Sequence, residues 1–314
     1  MHVNALPGEQ LNQRAKRMLD QLSSANCGVQ LEIANSLWAN KDKPMRAQFV
    51  SDSMKSYSAR AAALDFADPA APGQINAWVN HCTHGKIPTV VQSLDQSGAA
   101  VLLDAVYFKG MWDNKFDKEG TKEKPFKLAS GEKILHPRMI REGQFKYSET
   151  RDFQLVALPY QGNDVTAHVL LPKRSLAGFV RQLSLASWRG WVSDCDLREG
   201  TLELPRFKFD NDYDLIPMLK SLGITKAFTD AADFRRLGDK LYVGQAAHKT
   251  FVKVNEEGTE AAAVTTIYAL TLGIEPPHKE PPPFKMIVDR PFLFVILEDT
   301  TGAILFIGAI NDPR

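Results

Sequence analysis

Apolar residues along the chain fall into two periodicities, and the change from one to the other marks the elements. Leu11, Ala15, Met18, Leu19 and Leu22 recur at helical spacing across residues 8 to 22, with Arg14, Lys16 and Arg17 on the opposite side. The run Leu31-Glu-Ile-Ala-Asn-Ser-Leu-Trp reads as a strand, and residues 46 to 58 as a second helix. Ala63-Leu-Asp-Phe follows, before Pro69, Pro72 and Gly73 break the chain. Ile75, Trp78, Val79 and Cys82 then share one face of a helix over 74 to 82, with Gly85 placed to close it. Ala99 to Phe108 is a long apolar strand interrupted only by Asp104.

In the second half, strands are expected at 153 to 159, 165 to 171 and 201 to 209, alternating with helices at 175 to 192 and 212 to 222. Two closing strands, 291 to 298 and 303 to 310, flank Glu298-Asp-Thr-Thr-Gly-Ala, which reads as a hairpin turn. No internal repeat or linker divides the chain.

Residues 250 to 273 carry the most information. Phe251, Val252 and Val254 have the bias of a buried strand, and Gly258 supplies a backbone pivot. Beyond it every second residue is small: Thr259, Ala261, Ala263 and Thr265. At strand period these share one face, which suits a segment that enters an existing sheet. The same run also suits a short helix capped by Thr259 and opened by Glu260 and three alanines, and local pattern leaves both open. Pro276-Pro-His-Lys-Glu-Pro-Pro-Pro after it is expected to be extended.

Composition narrows the functional classes. The 44% hydrophobic content suffices for a sizeable core, and 38 basic against 37 acidic residues leave a formal charge of +1, with no global field for nucleic acid. The basic cluster of residues 14 to 17 reads as a solvated helix face. No stretch has the length and apolarity of a membrane span or the pattern of a secretory signal. Cys27, Cys82 and Cys195 are too few for a disulfide framework and read as free thiols. Seven histidines invite a search for catalysis, but no nucleophile elbow, phosphate loop, dinucleotide fingerprint or zinc-protease helix occurs. His81-Cys-Thr-His84 approaches metal-ligand spacing without a second ligand pair, so neither a metal nor a cofactor is expected.

Asn255-Glu-Glu-Gly-Thr-Glu-Ala-Ala-Ala resembles the hinge of the reactive-centre loop in serpins. The likeness extends to Leu204-Pro-Arg-Phe, Leu222-Gly-Ile, Asp289-Arg-Pro-Phe-Leu-Phe and Gly302-Ala-Ile-Leu-Phe-Ile-Gly. It also covers Ile75-Asn-Ala-Trp-Val and Asp104-Ala-Val-Tyr-Phe-Lys-Gly-Met-Trp, so it spans nearly the whole chain. Two departures stand out. Asp104 occupies a position where the family usually has Asn, and the family's first helices and one strand have no counterpart.

The resemblance implies an α+β serpin fold, with a large central mixed sheet, two smaller sheets, several helices and an exposed reactive-centre loop. It implies one domain over 1–314, N-terminally incomplete relative to the family, with the loop at 256–277. It also implies a suicide-substrate inhibitor rather than an enzyme, acting without a cofactor on a serine protease of chymotrypsin, elastase or subtilisin type, or on a cysteine protease. The hinge would be Glu256, Glu257, Gly258, Thr259, Glu260, Ala261, Ala262 and Ala263. The family's spacing puts the reactive bond at Leu272–Gly273, with Leu270 and Tyr268 as alternative bait residues. Asp104, Trp112 and His248 would form a latch governing sheet opening, with His248 buried at the sheet and its contact to Asp104 sensitive to pH. A monomer is implied, with no nucleic-acid or membrane partner. The resemblance points to an extracellular or periplasmic location, although the sequence opens without the pattern of a secretory signal. The competing readings are a non-inhibitory carrier, chaperone or storage relative, and a truncated inactive serpin.

Overall fold

The computed structural model describes residues 7–24, 29–96, 98–162, 164–239, 241–259 and 282–314. Its helices are α1 (Gly8–Ser24), α2 (Ala47–Tyr57), α3 (Ala71–Cys82), α4 (Leu176–Val180), α5 (Leu185–Ser193) and α6 (Leu215–Ser221). In the first half the strands are β1 (Val29–Asn40), β2 (Arg60–Leu64), β3 (Ala100–Met111), β4 (Asp117–Lys127) and β5 (Lys133–Glu149). There follow β6 (Phe153–Pro159), β7 (Val165–Pro172), β8 (Asp196–Pro205), β9 (Phe207–Asp214) and β10 (Val243–Asn255). The last four are β11 (Gly258–Thr259), β12 (Phe284–Ile287), β13 (Phe292–Glu298) and β14 (Ala303–Ile310). Two compact units emerge, one built on Gln30–Phe108 and Phe209–Val252, the other on Lys109–Lys208 and Lys253–Arg314.

In the first unit β1 pairs β2 in parallel, and β3 pairs β10 in parallel from Ala100 beside Val243 to Tyr107 beside Phe251. Strand alternation sends Val101, Leu103 and Ala105 to one face, where Ile75 and Val79 of α3 cover them together with Trp38 and Phe251. Helix α3 is therefore held by the apolar face its spacing announced. Gly85, at φ 79°, ends the turn after it by donating its N–H to the Asn80 carbonyl. The other face of β3 is less covered, and Leu102 remains 42% exposed.

The second unit carries a sheet in the order β12-β8-β5-β6-β7-β13-β14, with β4 on β5. One central and two smaller sheets were expected; the described strands form this eight-stranded sheet and a six-stranded one, in the order β2-β1-β3-β11-β10-β9. Strand β5 is 17 residues long and pairs in turn with β4, β8 and β6, joining ladders that a shorter strand would leave apart. Phe153, Leu155, Leu170, Leu293 and Val295 pack under Trp188 of α5. The single helix expected over 175 to 192 is two, because Ser184 leaves the helical region and caps α5 in a reciprocal box with Ser187. Likewise the strand expected at 201 to 209 is divided between β8 and β9, and α6 starts only after Asp214, whose side chain accepts from the Ile216 N–H. Among the described cysteines, Cys82 and Cys195 are free thiols.

One buried histidine gives the second unit a pH signature. His168 of β7 is 2% exposed, with its ring edge-on to Trp188 at 5.6 Å. Burial, aided by the charge of Lys146, pushes its imidazole from 6.5 down to about 4. The unfolded chain therefore binds the extra proton first, so this contribution to stability is complete above 6.5 and is lost as pH falls toward 4. Over that window the loss is about 3 kcal/mol. Chemical denaturation of wild type and His168→Phe at a series of pH values checks this: the difference between them should change with pH, and parallel curves would contradict it.

Candidate functional site

The loop-proximal end of β10 turns back on itself within two residues. Asn255 Oδ1 accepts the N–H groups of Glu257 at 3.0 Å and Gly258 at 3.2 Å, so an Asn side chain templates the reversal. Glu256 and Glu257 form the turn, and Gly258–Thr259 return as β11, antiparallel to Asn255 and Val254. On its other edge β11 pairs antiparallel with β3, Gly258 beside Met111 and Thr259 beside Gly110. A two-residue strand thus has a partner on each side. Gly258 must be glycine here: its φ is 151°, and a Cβ would meet the Gly110 carbonyl oxygen at 2.1 Å and Met111 Cα at 2.7 Å.

Both turn carboxylates are tied down. Glu256 is 3% exposed and takes Arg206 Nε at 2.8 Å and 3.0 Å on its two oxygens, with Thr121 Oγ1 donating at 2.5 Å. Burial pushes its carboxyl up, yet the hydrogen bonds from Arg206 and Thr121 outweigh that and hold it below the ordinary carboxylate value. Glu257 lies 2.6 Å from both Lys115 Nζ and Lys118 Nζ, and these two hydrogen bonds hold its carboxyl down as well. The turn carbonyls are also used, accepting the N–H groups of Phe116 and Trp112.

Trp112 is fully buried at the end of β3 and donates its indole N–H to the Asn255 carbonyl at 2.9 Å. Its ring stacks on Tyr160, centroids 4.6 Å apart and 17° from parallel. The Tyr160 hydroxyl in turn lies 2.6 Å from Thr259 Oγ1, with both residues 0% exposed. Burial pushes the Tyr160 phenol well above its ordinary value. Thr259 is therefore a strand residue whose hydroxyl is held beneath the sheet.

In the first unit, Asp104 and His248 stand side by side on the parallel strands β3 and β10, with Oδ1 and Nδ1 2.6 Å apart. The expectation that His248 is buried needs correction: its side chain is 28% exposed and that of Asp104 33%. Both lie on the face of β3 opposite the cluster under α3, the same face on which Leu102 is open.

Of the hinge residues read from the sequence, Glu256, Glu257, Gly258 and Thr259 come together with Trp112. Glu260, Ala261, Ala262, Ala263 and the bond Leu272–Gly273 lie outside the described residues. Sequence reading missed Arg206, Thr121, Lys115, Lys118 and Tyr160. Arg206 is 50 residues from Glu256, Tyr160 is 99 from Thr259 and Thr121 is 135 from Glu256, so no local pattern links them. The one available signal was the pair of adjacent carboxylates before a glycine, which requires cations somewhere in the fold.

Comparison with known proteins identifies the family. The family profile described as "Serpin (serine protease inhibitor)" matches residues 1–313. The bovine (Bos taurus) leukocyte elastase inhibitor is 35% identical over 305 residues, covering 91% of this chain and 79% of that protein. Serpin B11 of Homo sapiens is 34% identical over 308 residues, covering 93% and 76%. Among solved structures, a thyroxine-binding globulin complex with thyroxine superposes with a TM-score of 0.88 at 26% identity, covering all of this chain and 84% of that one. The chain belongs to the serpin family, and its α+β fold is the serpin fold.

Proposed function

We propose that residues 1–314 act as one serpin domain that inhibits a serine endopeptidase of chymotrypsin, elastase or subtilisin type by trapping its acyl-enzyme. The observation that carries this reading is the started strand: Gly258–Thr259 already pair with β3 on one side and β10 on the other. The protease serine attacks the Leu272 carbonyl, its ester to Leu272 forms, and the Gly273 amine departs with the proton relayed by the protease histidine. The freed chain from Glu260 onward then extends β11, carrying the protease with it, and distortion of the protease oxyanion hole stalls deacylation.

Register gives this motion a definite course. If both ladders continue residue for residue, Ala261 comes between Phe108 and Val252, Ala263 between Val106 and Thr250, and Thr265 between Asp104 and His248. Opposed residues of antiparallel neighbours share a face, so the small side chains would all point where Thr259 points. Phe108 and Val252 are 0% exposed, which leaves room there for alanine and not for a long side chain. Insertion as far as Thr265 would part the Asp104–His248 contact and offer each of them the threonine hydroxyl. In this reading the Asp104–His248 pair and the Trp112 anchor resist premature opening.

Leu272 suits an apolar primary pocket, and no Lys or Arg lies between Lys253 and Lys279 to satisfy a trypsin-like one. Incubation with chymotrypsin or elastase should yield an SDS-resistant band at the summed mass and release a peptide beginning at Gly273, read by mass spectrometry. Free active protease with a fully hydrolysed loop, or preferential trapping of trypsin, would contradict the proposal.

Thr259→Arg should turn the inhibitor into a substrate. Its side chain would have to enter the fully buried site beside Tyr160, costing several kcal/mol, about 2 to 7 for an unpaired polar group. Gel quantification should show covalent complex falling at least about tenfold, the equivalent of 1.4 kcal/mol, while cleavage continues. An unchanged ratio of complex to cleaved product would mean that Thr259 does not begin the inserting face.

A further inference from the structure

The connection from α3 to β3 is tied to both strands of the β3–β10 ladder, which pairs from Ala100 beside Val243 to Tyr107 beside Phe251. Its first turn stands on the β1 and β3 side. His84 and Gly85 are both left-handed, at φ 51° and 79°, and the His84 ring lies 5.1 Å from that of Tyr107 on β3. Its later residues stand on β10. Lys86 Nζ is 5.8 Å from the centroid of Phe251, Lys249 Nζ donates to the Thr89 carbonyl at 2.9 Å, and Gln245 Nε2 donates to that of Ser93 at 3.4 Å. Asn76 of α3 fixes the middle, donating to the Val91 carbonyl and accepting the N–H groups of Val90 and Val91. A strap anchored on both strands resists their separation.

One of these anchors can change charge. Gln30 Nε2 of β1 lies 2.9 Å from His84 Nε2 and 3.3 Å from Glu32 Oε1, so with a neutral imidazole the amide donates one hydrogen to each. Glu32 Oε1 is itself 3.7 Å from His84 Nε2, within reach of an ion pair once the ring is charged. Protonation turns Nε2 into a donor, which the amide nitrogen cannot accept. Gln30 must then turn its oxygen inward, and the imidazolium takes Glu32 directly. The other titratable and charged groups at this end are Tyr107 of β3, Lys86 of the strap, His81 and Cys82 of α3, and Arg60 of β2. The Cys82 thiol is pushed up first by burial and then by the charge of Glu32, with Arg60 opposing, so the Glu32 charge reaches the strap.

We propose that His84 is a proton-operated pin on this strap: its imidazolium, paired with Glu32, holds β3 and β10 together at acidic pH, and the neutral ring lets them part more readily. Acid thus tightens the seam through this residue. That the parting strands admit the cleaved loop rests on the inhibitory reading, in which trapping slows as pH falls; the pin itself does not depend on it.

Hydrogen exchange of the full chain at about pH 5.5 and about pH 8, on either side of the range in which imidazoles change charge, tests this without any protease. After correction for intrinsic rates, protection of residues 101 to 107 and 245 to 251 in wild type should be greater at the acidic pH. His84→Gln should lower acidic protection about two- to fivefold relative to wild type, the range of an exposed ion pair, and leave protection at about pH 8 unchanged. Glu32→Gln should do the same. His84→Lys, charged at both values, should carry the acidic level of protection to the higher pH. The Asp104–His248 pair also lies on this ladder, and comparison with His84→Gln isolates the His84 contribution because that variant leaves the pair intact. Equal pH dependence in wild type and His84→Gln would overturn the proposal, as would a loss in His84→Gln of the same size at both pH values. Should exchange follow His84 while no protease is trapped, the pin stands and the inhibitory reading falls.

Discussion

The geometry of the turn after β10 depends on how closely the backbone of Gly258 approaches β3. Met111 stands beside it in the ladder, with Gly110 next along β3, and a single Cβ at 258 would fall 2.1 Å from the Gly110 carbonyl oxygen. Only with that clash absent can β11 lie in hydrogen-bonding register with Gly110 and Met111 while keeping its register with Val254 and Asn255. The sheet edge that β11 would otherwise lack is thereby supplied on both sides, so the strand exists at a length of two residues although so short a strand has little stability of its own. Its side chains follow from that placement: Thr259 is driven to the buried face, where Tyr160 receives it.

The turn before Gly258 explains why the started strand keeps its place. Two adjacent carboxylates at a tight reversal repel one another and would favour an open loop, yet each has its own cations, Arg206 for Glu256 and the lysines 115 and 118 for Glu257. Both acids are held below their ordinary range. This anchoring is therefore fully present above the usual carboxylate pKa and weakens only as pH falls through the lowered values. At neutral pH the pivot is fixed. A fixed pivot ahead of a run of small residues is the arrangement that strand insertion requires, since register is decided before the first new hydrogen bond forms.

Much of this was legible in the sequence for physical reasons. Helix α3 appeared because Ile75, Val79 and Cys82 repeat at helical spacing against one core, and β13 and β14 because continuous apolar runs flank a glycine turn. The hinge came from the resemblance to the serpin reactive-centre loop, since local pattern left helix and strand both open, and only its part from Glu256 to Thr259 lies among the described residues. Strand β4 was invisible: of its residues only Phe126 is buried, so Asp117–Lys127 has no period to read. Strand β5 was obscured by Pro137 and Gly143, and its identity comes from the ladders on its flanks. The partners of Glu256 and Thr259 were hidden because electrostatic and hydroxyl contacts between distant segments leave no periodic trace. The exposure of Asp104 and His248 was misjudged because a contact between strands says nothing about what covers the face on which it lies.

The central claim is that β11 is the beginning of a strand that lengthens once the loop is cut. Limited proteolysis with a protease that nicks within residues 268 to 273, followed by thermal unfolding of intact and nicked protein at matched scan rates, tests it most directly. Extension of β11 adds two ladders of backbone hydrogen bonds and buries the small face, so the nicked protein should unfold at a clearly higher temperature than the intact one. An unchanged or lower unfolding temperature after complete nicking would contradict the account.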